Sequence, residues 1–153
     1  MAKKITITPP TLQFWLLKTE PDAFSWDDLV SRGTKGEPWS GVRNYQARKN
    51  MRAMRIGDRG FVYHSNVGKE IVGICEVIAS THPDPTDDSG KWECVDVKAV
   101  TALPRPVTLD YAKTLPSLSG MVLVNNTRLS VQPVTKAEWD KVCRLGGLSG
   151  DPR

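Results

Sequence analysis

Nowhere in this chain do apolar residues run for the ~18 positions that a membrane-spanning helix needs, so no transmembrane segment and no membrane partner is expected. The start, Met1-Ala2-Lys3-Lys4-Ile5-Thr6, carries basic residues without an apolar stretch behind them and does not read as a secretory signal. Histidine is scarce, with His64 and His82 alone, and cysteine stands only at Cys75, Cys94 and Cys143. No Cys-x-x-Cys and no His-x-x-x-His pair is present, which argues against a structural zinc site, and no metal or cofactor is expected. An odd number of widely spaced thiols in apolar surroundings reads as reduced cysteine in a cytosol-like compartment, cytoplasmic or, in a eukaryote, nuclear. There is no glycine-rich phosphate loop of the Walker or Rossmann form. No serine or cysteine sits in a strained elbow near His64, and Cys75 lies inside an apolar stretch as an inert thiol would. These absences favour recognition over turnover. Internal repeats and low-complexity tracts are missing too.

What remains is one domain's worth of chain, 153 residues and 17.0 kDa, long enough to bury about two thirds of its unfolded surface. With 39% hydrophobic and 25% charged residues it is neither a disordered chain nor a coiled coil. Residues 1–11 are rich in Lys, Thr and Pro and are expected to fray, residues 12–145 to form a single domain, and the glycine-rich residues 146–153 to be loose. Short apolar or alternating runs predict strands at 13–18, 60–65, 69–79, 92–100, 121–124 and 128–134, the last two joined by a turn at Asn125-Asn126. His82 to Asp88, with two prolines and three aspartates, predicts a loop. Helices are expected after the Ser25 cap, over 44–54, and after the capping box that opens at Thr135. In the last, Trp139, Val142 and Leu145 should point inward. The fold class is therefore α+β, a mixed barrel of about six strands with short flanking helices, acting as a monomer.

The charge is unevenly placed. Residues 41–60 hold Arg43, Arg48, Lys49, Arg52, Arg55 and Arg59 against one acid, Asp58, a net +5, whereas the whole chain carries only +4. Arg48, Arg52 and Arg55 fall on one helical face, and Ala47, Met51 and Met54 form an apolar stripe one residue earlier. This is a helix docked on a core with arginines outward. Arginine's planar fork suits phosphate oxygens. The alternative is a solvated face held by ion pairs, for which the local sequence offers few acids.

Of five tryptophans, Trp15 and Trp139 occupy apolar periodic positions and read as core. Trp39 differs, lying in Gly36-Glu37-Pro38-Trp39-Ser40-Gly41 just before the cationic helix, either as a lid over a small core or as a stacking wall. Trp92 follows the Pro/Asp loop as a candidate second wall. Polar clusters end two predicted strands, Lys18-Thr19-Glu20-Pro21 and Tyr63-His64-Ser65-Asn66, and Arg128, Ser130 and Gln132 share one face of another. Such clusters form the rim of a hydrogen-bonding pocket.

Four segments, in order, resemble the successive motifs of the EVE domain. They are Trp15-Leu16-Leu17-Lys18-Thr19-Glu20-Pro21, Trp39 to Arg48 (WSGVRNYQAR), Tyr63-His64-Ser65-Asn66, and Arg128 to Val134 (RLSVQPV). The resemblance spans about residues 12–145. It implies a PUA-like β-barrel, related to YTH domains, that binds nucleic acid and takes a modified base, a modified cytosine in DNA or a modified RNA base, into an aromatic pocket. By the looser likeness to YTH domains, Trp39 and Trp92 would be walls and Lys18, Thr19, Ser40 and Asn66 edge contacts. The candidate base pocket thus comprises Lys18, Thr19, Trp26, Trp39, Ser40, Tyr63, His64, Ser65, Asn66 and Trp92. The candidate backbone contacts are Arg43, Asn44, Arg48, Arg52, Arg128 and Gln132. Two other functions compete: a small enzyme acting on nucleotides or esters with His64 as general base, and an adaptor whose basic helix is merely solvated.

Overall fold

The computed structural model describes residues 12–148; the segment 1–11, expected to fray, and residues 149–153 of the tail 146–153, expected to be loose, lie outside them. Phe14–Thr19 (β1), Glu37–Pro38 (β2), Arg59–His64 (β3), Glu70–Pro83 (β4), Glu93–Thr108 (β5) and Val131–Val134 (β6) form one six-stranded sheet in the order β2-β5-β4-β3-β1-β6. The helices are Trp26–Ser31 (α1), Tyr45–Ala53 (α2), Leu109–Lys113 (α3), Val122–Asn125 (α4) and Lys136–Leu145 (α5), with 3-10 turns at Gly33–Lys35 and Pro116–Leu118. This is the mixed α+β architecture expected.

Strand alternation divides the core into two layers. Phe14, Leu16, Phe61, Tyr63 and Ile74 face one side and pack with α3, α4 and α5. There the Trp139 ring stacks between Phe14 and Phe61, with centroids 4.6 and 4.0 Å away. Trp15, Leu17, Val62, Cys75, Val77, Val95 and Val97 face the other side with α1, α2 and Trp39. The apolar stripe of α2 is buried as its spacing predicts: Ala47 and Met51 fully and Met54 nearly so. Buried Asp58 clips β1 to the α2–β3 connection, accepting from Trp15 Nε1 and from the backbone N–H groups of Gln13 and Arg55 at 3.0–3.2 Å.

Capping residues fix the helix starts. Ser25 and Asp28 exchange hydrogen bonds in a capping box ahead of α1, Thr135 and Glu138 do so ahead of α5, and the Asn44 side chain accepts from Ala47 N ahead of α2. Helix α5 ends in a Schellman turn: Leu148 N–H donates to Cys143 O and Gly147 N–H to Arg144 O, with Gly147 at φ +90°. Gly146 O in turn accepts from Arg105 N, which ties the turn to β5.

The structure departs from the sequence expectations at several places. Residues 121–124 are not a strand; Val122–Asn125 forms α4, and Asn125 Nδ2 donates back to the carbonyls of Ser119 and Met121 instead of making a hairpin turn. A four-residue apolar run has no period of its own, and burial of Leu123 between helices settles it. Strand β6 accordingly starts only at Val131, and the sixth strand is the two-residue β2 on the far edge, paired with Val97 and Asp96 of β5. His82 and Pro83 belong to β4, paired with Cys94 and Glu93; proline's missing N–H is tolerated at a strand's last rung, and the loop starts at Asp84. Strand β5 runs on to Thr108 because its pairing with β4 slips between Ile71 and Gly73, which lets Leu103–Pro106 bulge past the ladder.

Gly73 sits at that slip with the Trp26 ring over it: a Cβ there would lie 2.5 Å from the indole. Gly73→Ala should cost about 1–3 kcal/mol through overpacking, read as a lower urea midpoint with an unchanged slope. An unchanged midpoint would mean that Trp26 is free to move aside.

Candidate nucleic-acid interface

Parallel pairing sets β1 beside β3 in register, Lys18 opposite Tyr63 and Thr19 opposite His64, so both strands end at the same level. The chain leaves them through Glu20-Pro21 and through the turn Ser65–Lys69, in which Asn66 and Lys69 hold left-handed φ of 67° and 48°. Ser65 N–H donates to Thr19 O, and Asn66 Nδ2 donates to Glu20 Oε1, both at 2.9 Å. On the other side of this gap β2 delivers Trp39, whose N–H donates to Val95 O at 2.7 Å. The result is a cavity of about 810 Å³.

Its lining brings together eight of the candidate residues: Lys18, Thr19, Trp39, Ser40, Arg43, Ser65, Asn66 and Arg128. Trp39 is buried, and Phe24 meets it edge-on at 6.1 Å. Arg32 lies over Phe24 at 5.3 Å and donates to Glu37 Oε1 at 2.8 Å, closing one side of the mouth. The Thr19 hydroxyl donates to Phe24 O. Lys18 Nζ donates to Thr127 O at 2.7 Å, and burial lowers its pKa. The lining also holds residues outside the candidate set, among them Glu20, Phe24, Arg32 and Glu37. Glu20 and Glu37 stand in segments that were singled out, but Phe24 and Arg32 flank α1 with no signal beyond composition.

The other candidates lie elsewhere. Trp26 and Tyr63 are core residues on opposite faces of the sheet. His64 Nε2 accepts from Trp26 N–H at 3.0 Å, so the nitrogen that a general base would use is already engaged, and burial lowers its pKa. Gln132 is fully buried, donating to the carbonyls of Leu129 and Asn126. Asn44 caps α2. Trp92 packs against Tyr45 outside the cavity, centroids 4.9 Å apart and ring planes tilted by 31°.

The cationic segment finds its acids through tertiary structure. Arg43 pairs with Asp84 at 3.0 Å, Arg52 with Glu93, and Arg59 with Glu76 at 3.1 Å. All three acids come from β4, β5 and the loop between them, so the local sequence hides them. Asp84 is the keystone of the mouth. It is buried and also accepts from Gly41 N–H, from Thr86 N–H and from the Thr86 hydroxyl. Burial alone would raise its pKa; those bonds and Arg43 outweigh that and hold it at about 2. Gly41, at φ +86°, needs the left-handed conformation that lets its N–H reach Asp84.

Among the described residues one group has a metal-ligating composition, His82, Cys94 and Asp96, with candidate ligand atoms within 4.8 Å of one another. His82 Nε2 meets Asp96 Oδ1 at 2.6 Å, hydrogen-bond rather than co-ligand spacing. That bond raises the His82 pKa, while burial pushes the Cys94 and Cys75 thiols up to about 12. The three buried cysteines form no disulfide. No helix among the described residues is long and apolar enough to cross a membrane.

The EVE domain profile matches residues 13–145. A chain from Agrobacterium tumefaciens solved by crystallography is 53% identical, with 92% of this chain and 97% of that one covered and a TM-score of 0.88. Mouse thymocyte nuclear protein 1 is 35% identical over 86% of this chain and 73% of its own length. Human THYN1 protein, solved in complex with DNA containing 5-methylcytosine, is 33% identical, with 90% and 99% covered and a TM-score of 0.81. A YTH domain from Zygosaccharomyces rouxii, at 17% identity and a TM-score of 0.55 over 99% and 97% of the two chains, shares the fold.

Two pH effects follow. In an NMR titration His82 should titrate above 6.5 and His64 below it. The His82–Asp96 contribution to stability is complete below pH 6.5 and fades as pH rises through the folded pKa; that of neutral His64 is complete above 6.5 and fades as pH falls. The Asp84 contribution fades as pH falls from 3.8 towards 2, and Asp84→Asn should flatten that part of the stability profile. Coincident histidine titrations would contradict these environments.

Proposed function

The chain belongs to the EVE domain family, and on that premise we propose that it is a non-enzymatic reader of a modified base in nucleic acid, holding the base in the cavity beside Trp39. The observation that carries this reading is the cavity itself, which sets a buried tryptophan among hydrogen-bonding groups at two adjacent strand ends, in a chain similar to one solved with 5-methylcytosine DNA. The volume of about 810 Å³ falls within the range of small-ligand sites.

Taking a base out of its stack costs a few kcal/mol. Stacking against Trp39 returns roughly 1–3 kcal/mol, and hydrogen bonds to the base edge supply more. Thr19, Ser40, Ser65 and Asn66 offer both donors and acceptors. The Glu20 and Glu37 carboxylates accept only, which suits an exocyclic amine such as that of cytosine. A methyl group on the base adds apolar area against Trp39 and Phe24. Lys18, Arg43 and Arg128 place positive charge around the mouth, where the phosphates flanking the base would run. Lys18, Glu20 and Glu37 are each tied to a neighbour, to Thr127 O, Asn66 and Arg32, an arrangement that suits holding a base in place.

The test is a fluorescence anisotropy comparison of DNA oligonucleotides that differ by a single 5-methylcytosine. The wild type should bind the methylated form more tightly. Trp39→Ala should lose about tenfold or more on that form and retain only weak, salt-dependent binding to both. Equal affinity of the wild type for the two oligonucleotides would overturn the reading.

A further inference from the structure

Outside the cavity, α2 and the β4–β5 loop build a second aromatic feature. Tyr45, the first residue of α2, is 59% exposed although its ring lies 4.9 Å from that of Trp92. The Arg48 guanidinium sits 5.0 Å from the Tyr45 ring centroid and 5.4 Å from that of Trp92. Arg48 Nη1 donates to Lys91 O at 2.7 Å, and its buried Nε has no hydrogen-bond partner among the described residues. Arg48 is thus held by two rings and a carbonyl, not by a carboxylate. The loop that presents Trp92 is itself fixed, because the Asp87 carboxylate accepts from Trp92 N–H at 2.9 Å and from Ser89.

This cluster adjoins the cavity. Arg43 lines the cavity and also lies 5.9 Å from the Trp92 ring centroid. An exposed aromatic face, already immobilised by its neighbours, loses little rotamer freedom when another ring stacks on it. A guanidinium beside it that is free of carboxylate can meet a phosphate. Both features suit one occupant, a nucleotide.

We propose that Tyr45, backed by Trp92 and Arg48, is a second base-stacking subsite that takes the unpaired base next to the one in the cavity, with the linking phosphate beside Arg43 and Arg48. The proposal rests on the reader assignment and extends it: the strand leaves the cavity across this ledge and is single-stranded there. Trp92 then contributes as a support for Tyr45 rather than as a wall of the cavity.

The experiment uses a single-stranded hexanucleotide with one central 5-methylcytosine, its unmethylated counterpart, the methylated strand with an abasic site on either side of that base, and 5-methyldeoxycytidine monophosphate, against wild type, Tyr45→Ala and Tyr45→Phe. Tyr45→Ala should lose about 5- to 100-fold on the intact hexamer and nothing on the monophosphate, and Tyr45→Phe should restore binding. One of the two abasic strands should weaken the wild type to the level of Tyr45→Ala and leave Tyr45→Ala unchanged. Wild-type hexamer binding that is equal with and without the methyl group removes the reader assignment but not the ledge, which is judged on Tyr45 and the abasic strands. Tyr45→Ala binding the hexamer as the wild type does, or an abasic penalty that is the same in both proteins, overturns the ledge.

Discussion

Everything at the candidate site depends on the in-register parallel pairing of β1 with β3. Antiparallel neighbours would send their C-terminal ends to opposite edges of the sheet. Parallel ones set Thr19 beside His64, and the two chain exits, Glu20 and Ser65–Asn66, become one side of a cavity. The same alternation commits Phe14 and Leu16 to one core layer and Trp15 and Leu17 to the other, so a register slip of one residue would empty both layers together. Asp58 guards that register by holding the Trp15 indole to the loop before β3. The site thus takes its rigidity from the two cores, in keeping with groups that must meet a base edge in fixed positions.

Charge tells a second, less obvious story. A segment of net +5 looks like a ready phosphate surface, yet folding brings Asp84, Glu93 and Glu76 onto three of its arginines. The more exposed Arg52–Glu93 pair stabilises little, whereas a pair on a buried carboxylate fixes side-chain direction. Arg43 is the instructive case: Asp84 orients it at the cavity mouth and also anchors Gly41, so one buried carboxylate shapes both the loop and the cation. Arg48 escapes this neutralisation, and the aromatic rings hold it instead. Affinity for a polyanion should therefore reflect a few placed cations rather than the sum over the segment.

Much of the fold was legible because its signals are local. The Ser25 cap, the capping box at Thr135 and the Ala47–Met51–Met54 stripe each specify their element within one or two turns of chain. The misreadings share a cause, reliance on tertiary context. Val122–Asn125 has too short a pattern to declare a period, β2 is two residues long and exists only through β5, and the length of β5 follows from a slip opposite Gly73. At the site the strand-end clusters were visible from polarity alone, and Lys18, Thr19, Ser65 and Asn66 meet as neighbours of one cavity. Trp92, a candidate wall, lies beside Tyr45 and outside that cavity, because sequence shows an aromatic after a loop but not which side of α2 the loop reaches. Phe24 and Asp84 were overlooked because their importance comes from partners 15 and 43 residues away, Trp39 and Gly41.

The central claim is that a modified base enters the gap between the β1 and β3 ends and Trp39. An ¹⁵N–¹H NMR titration with methylated and unmethylated strands locates the ligand most directly. The account predicts that the methylated strand selectively shifts the Trp39 indole and the amides of Thr19, Gly41, Ser65 and Asn66, while the Trp139 indole, stacked between Phe14 and Phe61 in the opposite core layer, stays still. Shifts that are identical for the two strands, or that spare the Trp39 indole, would contradict it.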